Sequence, residues 1–211
     1  MLGIYGGTFD PIHYGHLRTA LEVKEALGLA ELRFLPCRFP PHRSQPGASP
    51  QQRLLLLEAA LQHAGLGFTV DGRELRREGP SYMFDTLTSL REELGSDLPI
   101  CLILGLDAFA GLPSWHRWRE LFGLTHLAIM QRPDAPNLVR PGELADHTRG
   151  RQTANISTLH ASPHGKIAFL EVTQLAISAT KIRQIILEGK SPRYLLPDPV
   201  LEMIQAEGLY R

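Results

Sequence analysis

The sequence predicts an α/β fold in which helices cover both faces of a parallel sheet. Short apolar runs alternate with stretches of helical periodicity along the chain, and such strand–helix repeats build parallel sheets. The 211 residues, 43% of them hydrophobic, suffice for one domain with a substantial core. We expect a single domain over residues 1–211, with an α/β core up to about residue 176 and a small helical part after it.

Six short apolar runs are predicted to be the strands of this sheet. They span residues 2–5, 32–35, 68–70, 100–104, 126–130 and 167–172. Sheets of this kind bind ligands beyond the carboxyl ends of their strands, where the strand order switches. The loops that follow these runs are therefore the first candidates for a functional site.

Helical periodicity and capping residues predict the helices. Gly28 suits the end of the first helix, and Ser49 and Gln52 form a capping-box pattern around Pro50 at the start of the second. Asp198 is expected to cap the last helix. The predicted helices span residues 16–27, 49–61, 83–94, 115–122, 178–188 and 198–207. Residues 39–49 are rich in proline and are expected to be a loop, and the polar stretch 144–165 has no assignment.

Charge and hydropathy exclude several classes of partner. Lys and Arg number 22, as do Asp and Glu, so the chain lacks the basic footprint that DNA or RNA would need. No apolar run approaches the ~20 residues that cross a bilayer. Residues 1–5 lead into a glycine-rich loop without a signal-peptide pattern, and Cys37 and Cys101 form no CxxC pair. We therefore expect a cytoplasmic protein that binds neither nucleic acid nor membrane.

The strongest functional signal lies between the first predicted strand and the first helix, in the segment GGTFDPIHYGH over residues 6–16. Its adjacent glycines, Gly6 and Gly7, permit positive φ and close approach to a ligand. The helix start that follows offers N–H groups to a phosphate. His13 and His16 are three residues apart, so their imidazoles can share a face and donate to phosphate oxygens, while Gly15 leaves room for a nucleotide.

Two ordinary interpretations of this segment compete with a phosphate site. A glycine-rich turn is often only a tight connection, and a histidine pair is often structural. Their combination in a strand–loop–helix context favours the phosphate site. The segment is neither a Walker A loop, since it lacks Gly-Lys-Ser/Thr, nor a GxGxxG fingerprint.

A second signal is the segment ISATKIR over residues 177–183. Ser178 suits a helix N-cap, and Thr180 adds a second hydroxyl. Lys181 and Arg183 place positive charge near a helix start, which is unfavourable unless an anion binds there. Alone, the segment is more typical of a capped helix with solvated charges than of a phosphate site.

Together, the two segments resemble those of a known superfamily. GTFDPIHYGH is similar to the HxGH signature of nucleotidylyltransferases, and ISATKIR to their second phosphate-binding motif. Residues 40–43 (PPHR), 105–107 (GLD), 113–115 (PSW) and the stretch from Tyr194 to Tyr210 narrow the resemblance to the bacterial nicotinate mononucleotide adenylyltransferases. It covers nearly the whole chain, is weakest over residues 137–165, and implies a Rossmann-like nucleotidyltransferase fold.

The resemblance also implies roles for individual residues. His13 and His16 would be the catalytic pair that contacts the triphosphate. The ATP-binding set would be Gly6, Gly7, Thr8, Phe9, Gly105, Asp107, Ile177, Ser178, Thr180 and Arg183. The mononucleotide-binding set would be His42, Arg43, Met83, Trp115, His116 and Arg132.

Within the second set, Trp115 would stack on the pyridine ring, and the N–H groups of Trp115 and His116 would face its carboxylate. The competing interpretations are that Trp115 is an ordinary aromatic residue, that Asp107 caps a helix, and that His42 is solvated. Two departures from the family pattern concern hydrogen bonds to the pyridine nucleotide. Met83 stands where relatives often carry a hydroxyl, and Cys37 and Arg38 lie where they often have asparagine.

The implied reaction is in-line attack by the 5′-phosphate of nicotinate mononucleotide on the α-phosphorus of ATP. It yields nicotinate adenine dinucleotide and pyrophosphate. The nucleophile is already an anion, so positioning and charge stabilisation outweigh general-base catalysis. Mg²⁺ would be held mainly by the ATP phosphates, and a homo-oligomer is left open.

Two alternatives remain. The first is another nucleotidylyltransferase, such as a pantetheine-phosphate adenylyltransferase, against which residues 40–43 and the Trp115 turn argue. The second is a non-catalytic nucleotide-binding regulator, against which the presence of both His13 and His16 argues.

Overall fold

A parallel sheet forms the centre of the computed structural model, which describes residues 1–39, 46–62, 64–132 and 142–211. Its strands are β1 (Leu2–Gly7), β2 (Glu31–Pro36), β3 (Phe68–Val70), β4 (Ile100–Gly105), β5 (His126–Gln131) and β6 (Ile167–Glu171). Their order is β3-β2-β1-β4-β5-β6, and every neighbouring pair is parallel. The predicted α/β class and all six predicted strands are confirmed, with strand ends within two residues.

The strand order switches between β1 and β4. The chain first builds outward from β1 to β2 and β3, and then returns to add β4, β5 and β6 on the other side. Connections on opposite sides of the sheet leave a crevice at this switch, beyond the carboxyl ends of β1 and β4. Both glycine-containing loops singled out in the sequence, at residues 6–16 and 105–107, begin at this crevice.

The main helices agree with the sequence prediction. Gly28 ends the first of them with a left-handed φ of 57°, and the Ser49–Gln52 capping box before the second is present. The helices are α1 (Tyr14–Leu27), α2 (Pro50–Leu61), α3 (Arg73–Arg76), α4 (Met83–Leu94), α5 (Leu106–Ala110), α6 (Glu143–Thr148), α7 (Ser157–His160), α8 (Ala179–Leu187) and α9 (Asp198–Ala206). The short α3, α5, α6 and α7 went unpredicted because four to six residues are too few to show a helical period.

Two helix predictions are wrong in detail. Over residues 115–122 the structure has no α-helix; two 3₁₀ turns, Leu112–Ser114 and Trp118–Gly123, flank a non-helical link. Arg117 in this link has φ 55°, a left-handed conformation that interrupts a right-handed helix. Asp198 is the first residue of α9, while Pro197 occupies the cap position. The Asp198 carboxylate instead accepts a hydrogen bond from Arg193 (3.2 Å).

The two faces of the sheet carry separate apolar layers. On β4, Cys101 and Ile103 face one layer, while Ile100, Leu102 and Leu104 face the other, as the alternation of side chains along a strand requires. Helices α1, α2, α8 and α9 pack in the first layer, and α4 and the second 3₁₀ turn pack in the other. The predicted helical part after residue 176 therefore lies against the same core as α1 and α2. No helix among the described ranges is long and apolar enough to cross a membrane.

One fully buried side chain of the first layer is charged. Arg53 on α2 is 0% exposed. Its guanidinium donates to the carbonyl oxygens of Thr8 (2.7 Å), Arg38 (3.2 Å) and Ala48 (3.3 Å). The rigid, five-donor fork of arginine suits three diverging acceptors. Arg53 therefore ties the loops that follow β1 and β2 to the start of α2.

We expect Arg53→Met to destabilise the fold by about 3 kcal/mol, because one buried and two partly buried carbonyl groups lose their donor. The melting temperature should fall by roughly 6–12 °C, as measured by thermal and urea unfolding. Arg149→Met is the matched control, since Arg149 is 81% exposed and pairs only at the surface. Equal stability of the two variants would contradict the structural role of Arg53.

Candidate active site

Gly6 and Gly7 serve close packing at the end of β1. Both lie within the strand, and neither has the positive φ that the sequence suggested. A Cβ at Gly6 would lie 2.9 Å from Met83 Cε, and one at Gly7 would lie 2.8 Å from the ring of Phe9. The positive φ (48°) belongs to Phe9, whose side chain is buried. Phe9 can therefore contact a nucleotide only through its backbone.

His13 and His16 lie together, as their spacing predicted. Their rings stack at 3.8 Å between centroids with an interplanar angle of 24°. His13 is only 5% exposed, and burial lowers its pKa to about 4. The imidazole of His13 is therefore neutral at pH 7, with one N–H available as a donor.

Gly15 has a different role from the one predicted. A Cβ there would lie 3.0 Å from both Cε1 and Nδ1 of His13, and 3.4 Å from the carbonyl oxygen of Ile177. The space beside Gly15 is thus filled by the catalytic candidate His13 and by the segment that enters α8. The first N–H of α1, that of Tyr14, donates to the Leu195 carbonyl (3.1 Å), so it is not free for a phosphate.

The start of α8 does offer N–H groups. Ser178 caps the helix by accepting the N–H of Lys181 (3.2 Å), and the N–H groups of Ala179 and Thr180 have no acceptor among the described residues. Both predicted hydroxyl residues, Ser178 and Thr180, are exposed. Arg183, one turn further on, points back toward them, with Nη2 at 3.4 Å from Thr180 Oγ1.

Asp10 joins the two predicted phosphate segments, although no sequence pattern assigned it a role of its own. Its carbonyl oxygen accepts from Arg183 Nη1 (2.7 Å). Its carboxylate accepts the N–H groups of Gly47 (2.8 Å) and Ala48 (3.1 Å), and the hydroxyl of Tyr210 (2.8 Å). The only sequence signals were that Asp10 lies inside the first motif and Tyr210 inside the matching final stretch.

Gly105 and Asp107 lie at the carboxyl end of β4, beside β1. Gly105 is the N-cap of α5, and that helix has no side-chain cap. Asp107 lies within α5 and is exposed. The interpretation of Asp107 as a helix cap is therefore wrong, and its carboxylate faces solvent at the crevice edge.

Three of the residues predicted to bind the mononucleotide lie on the face of the sheet that α4 covers. They are Met83, Trp115 and His116. Met83 covers Gly6, and the ring of His116 stacks on Tyr82 at 4.5 Å. Trp115 is partly buried against the second apolar layer. The backbone N–H of Trp115 donates to the Leu112 carbonyl (2.9 Å), so it is not the free donor that was predicted. Within the described ranges, the N–H of His116 has no acceptor.

Arg132 and two further residues stand apart from this group. Arg132 follows β5, is exposed, and donates to the Gln174 side chain (2.9 Å) in the segment before α8. No ring contact or hydrogen bond joins it to Met83, Trp115 or His116. The predicted His42 and Arg43 lie outside the described residues.

Cys37 and Arg38, the positions that depart from the family pattern, line the start of the loop after β2. Cys37 Sγ lies 3.7 Å from Thr8 Oγ1, and burial raises the pKa of this thiol, which keeps it neutral. The Arg38 guanidinium donates to the Arg77 carbonyl (2.8 Å). Arg38 is therefore held against the segment that leads into α4.

Comparisons with known proteins agree with this geometry. A model of the cytidylyltransferase-like family matches residues 4–185. A Methylococcus capsulatus protein named "probable nicotinate-nucleotide adenylyltransferase" is 59% identical over 210 residues, covering 100% of this chain and 99% of the relative. A protein of the same name from Aeromonas hydrophila is 46% identical over 211 residues, covering 100% and 97%.

A solved structure extends the likeness to the fold. Nicotinic acid mononucleotide adenylyltransferase of Plasmodium falciparum, complexed with NaAD, matches with a TM-score of 0.71 at 17% identity, covering 99% of this chain and 96% of that one. The family model and the full-length relatives together confirm the resemblance drawn from the two motifs. The chain belongs to the cytidylyltransferase-like family, among its nicotinate-nucleotide adenylyltransferases.

Proposed function

We propose that this chain transfers the adenylyl group of ATP to nicotinate mononucleotide, giving nicotinate adenine dinucleotide and pyrophosphate. The activity is the one named for its full-length relatives. The observation that supports it most directly is the meeting of two donor-rich segments at the strand switch. The stacked His13 and His16 lie beside the entry to α8, and Arg183 is hydrogen-bonded to Asp10.

The chemistry requires alignment and charge stabilisation more than proton transfer. The attacking 5′-phosphate is already anionic, and negative charge grows on the departing pyrophosphate. Neutral His13 can donate to a phosphate oxygen without first acquiring a proton. The N–H groups of Ala179 and Thr180, which have no acceptor in the described part of the chain, and the guanidinium of Arg183 add donors that need little reorganisation when charge develops.

Mg²⁺ is proposed to enter on the phosphates of ATP and to neutralise part of their charge. Across the described part of the chain, no group of three or more His, Cys, Asp or Glu side chains could hold a metal ion. This donor set fits a metal that is coordinated mainly by substrate. The protein's own contribution is then to bind and orient the metal-bearing triphosphate.

The pyridine ring of the mononucleotide is proposed to bind between Met83 on α4 and the link over residues 115–117. Because Trp115 is not at a helix start, no helix dipole acts on the ring substituent there. The backbone N–H of His116, for which the described residues offer no acceptor, remains as a donor to a carboxylate. Trp115 and the Tyr82–His116 stack supply the aromatic surface.

We expect nicotinate mononucleotide to be preferred over nicotinamide mononucleotide and over pantetheine phosphate. A carboxamide would turn its NH₂ toward a backbone N–H, and such a donor–donor conflict costs about 1–3 kcal/mol, or roughly 5- to 150-fold in kcat/KM. Pyrophosphate release with ATP and each acceptor measures the preference. Trp115→Ala should weaken both pyridine substrates through lost stacking but keep much of the ratio of their kcat/KM values. Comparable values for nicotinamide mononucleotide, or faster turnover of pantetheine phosphate, would overturn the assigned acceptor.

We expect His16→Ala to lower kcat by ~100- to 1000-fold, as for loss of one preorganised donor to a developing charge, and to leave the melting temperature close to that of the parent. His164→Ala is the control, since His164 is an exposed histidine away from the crevice. A near-parental kcat for His16→Ala would remove His16 from the catalytic pair.

We expect Arg183→Ala to weaken ATP binding by roughly 10- to 100-fold, since charge-assisted hydrogen bonds to phosphate are lost. Binding of nicotinate mononucleotide alone should change little. Separate calorimetric titrations of the two ligands measure this difference, and Arg193→Ala, which loses only a surface pair with Asp198, serves as control. An equal loss for both ligands would place Arg183 in a different pocket.

A further inference from the structure

Tyr210 reaches the active-site loop from the far end of the described chain. Helix α9 is anchored in the first apolar layer by Val200, Leu201 and Ile204, and Tyr210 follows it with φ 65°. Residues other than glycine seldom adopt this left-handed conformation. Here it accompanies an inward-facing phenol whose hydroxyl lies 2.8 Å from Asp10 Oδ1.

The carboxylate that Tyr210 contacts is surrounded by donors alone. Gly47 and Ala48 give backbone N–H groups at 2.8 and 3.1 Å, and Tyr210 gives its hydroxyl. The fourth neighbour, Arg183, lies 3.6 Å from Oδ2 and donates its close hydrogen bond to the Asp10 carbonyl. The carboxylate is thus held in place by three donors rather than by the guanidinium.

The ring of Tyr210 also packs tightly. A Cβ added at Gly47 would lie 3.0 Å from Tyr210 Cδ1 and 3.5 Å from Arg183 Cδ. Tyr210, Gly47 and Arg183 therefore form one continuous contact. Burial and the neighbouring charge of Asp10 raise the pKa of Tyr210, so the phenol stays a proton donor at the pH of any ordinary assay.

We propose that Tyr210 is a positioning residue for adenylyl transfer, which acts on the ATP phosphates through Asp10 and Arg183. Its hydroxyl holds the Asp10 carboxylate toward the Gly47–Ala48 backbone. Without this donor, the carboxylate can turn closer to the Arg183 guanidinium, which lies 3.6 Å from Oδ2, and accept a direct hydrogen bond from it. Arg183 is then drawn away from the anion that it serves. The inference rests on the proposed function and assigns no contact between Tyr210 and substrate.

Tyr210→Phe tests the proposal, because it keeps the ring on Gly47 and removes only the hydroxyl. At a temperature well below unfolding, we expect kcat/KM for ATP to fall about tenfold, with the KM for nicotinate mononucleotide within about twofold of the parent. Tyr194→Phe is the matched control, since Tyr194 is 82% exposed and its hydroxyl bonds to no described residue.

A double-mutant cycle separates positioning from simple stabilisation. If Tyr210 acts through Arg183, Tyr210→Phe should cost little further activity in an Arg183→Ala background. Multiplicative losses, or a Tyr210→Phe enzyme with parental kcat/KM for ATP, would overturn the proposal. Should Tyr210→Phe not fold, Gly47→Ala replaces it, since its Cβ, 3.0 Å from Tyr210 Cδ1, crowds the Tyr210 ring while every hydrogen-bonding group is kept. Gly47→Ala is then expected to lower kcat/KM for ATP by a similar factor, and an unchanged value counts against the proposal.

The parent enzyme is assayed first with ATP and nicotinate mononucleotide. An inactive parent would refute the proposed function itself. An active parent matched by Tyr210→Phe would refute only the role of Tyr210.

Discussion

The guanidinium of Arg53 lies beneath the loops that follow β1 and β2, and three carbonyl oxygens in and around these loops depend on it. Removing such a charge from water costs several kcal/mol. The hydrogen bonds of the guanidinium go to backbone carbonyl groups, so these backbone dipoles must offset that cost. The reverse dependence also holds, since without Arg53 these buried and partly buried carbonyl groups would lose their donor. The shape of the crevice therefore depends on the single arrangement of the two loops that Arg53 holds in place.

The crevice brings hydrogen-bond donors together, although the chain as a whole has no net charge. The 22 basic and 22 acidic residues cancel overall, yet the N–H groups of α8, the histidine pair and Arg183 converge at the strand switch. The buried carboxylate of Asp10, which lies beside Arg183, accepts hydrogen bonds from the backbone N–H groups of Gly47 and Ala48 and from the Tyr210 hydroxyl. Local field depends on such clustering rather than on totals, so a neutral protein can present a strongly anion-attracting site.

The sequence predicted the centre of the sheet well because β4 and β5 are buried on both faces and appear as short, continuous apolar runs. It predicted the start of α2 because a capping box has a fixed local spacing. It failed at residues 115–117, where the left-handed Arg117 leaves no periodic trace. The arginine itself is held by a ring contact, with Cζ 3.6 Å from the centre of Phe84, which lies on another element.

The two predicted phosphate segments were visible as local patterns, but the contacts that join them were not. Arg53 has Leu56 and Leu57 three and four residues later, so its position on the buried face of α2 was available in the helical spacing. The bonds from Asp10 to Arg183 and Tyr210 had no such signal, since they span 173 and 200 residues. Likewise, the roles of Gly6, Gly7 and Gly15 depend on which side chains fill the space beside them.

These long separations govern when the site can exist during synthesis. Two residues so far apart in the sequence can touch only after the long segment between them has closed into a loop. Such contacts therefore tend to form late in folding. A nascent chain that has emerged only as far as β6 already contains His13 and His16. It still lacks the arginine that binds Asp10, the helix start beside Gly15 and the phenol that completes the carboxylate's three donors. The proposed nucleotide site therefore becomes complete only after residues 177–210 have been synthesised, and ATP binding is expected to begin only then.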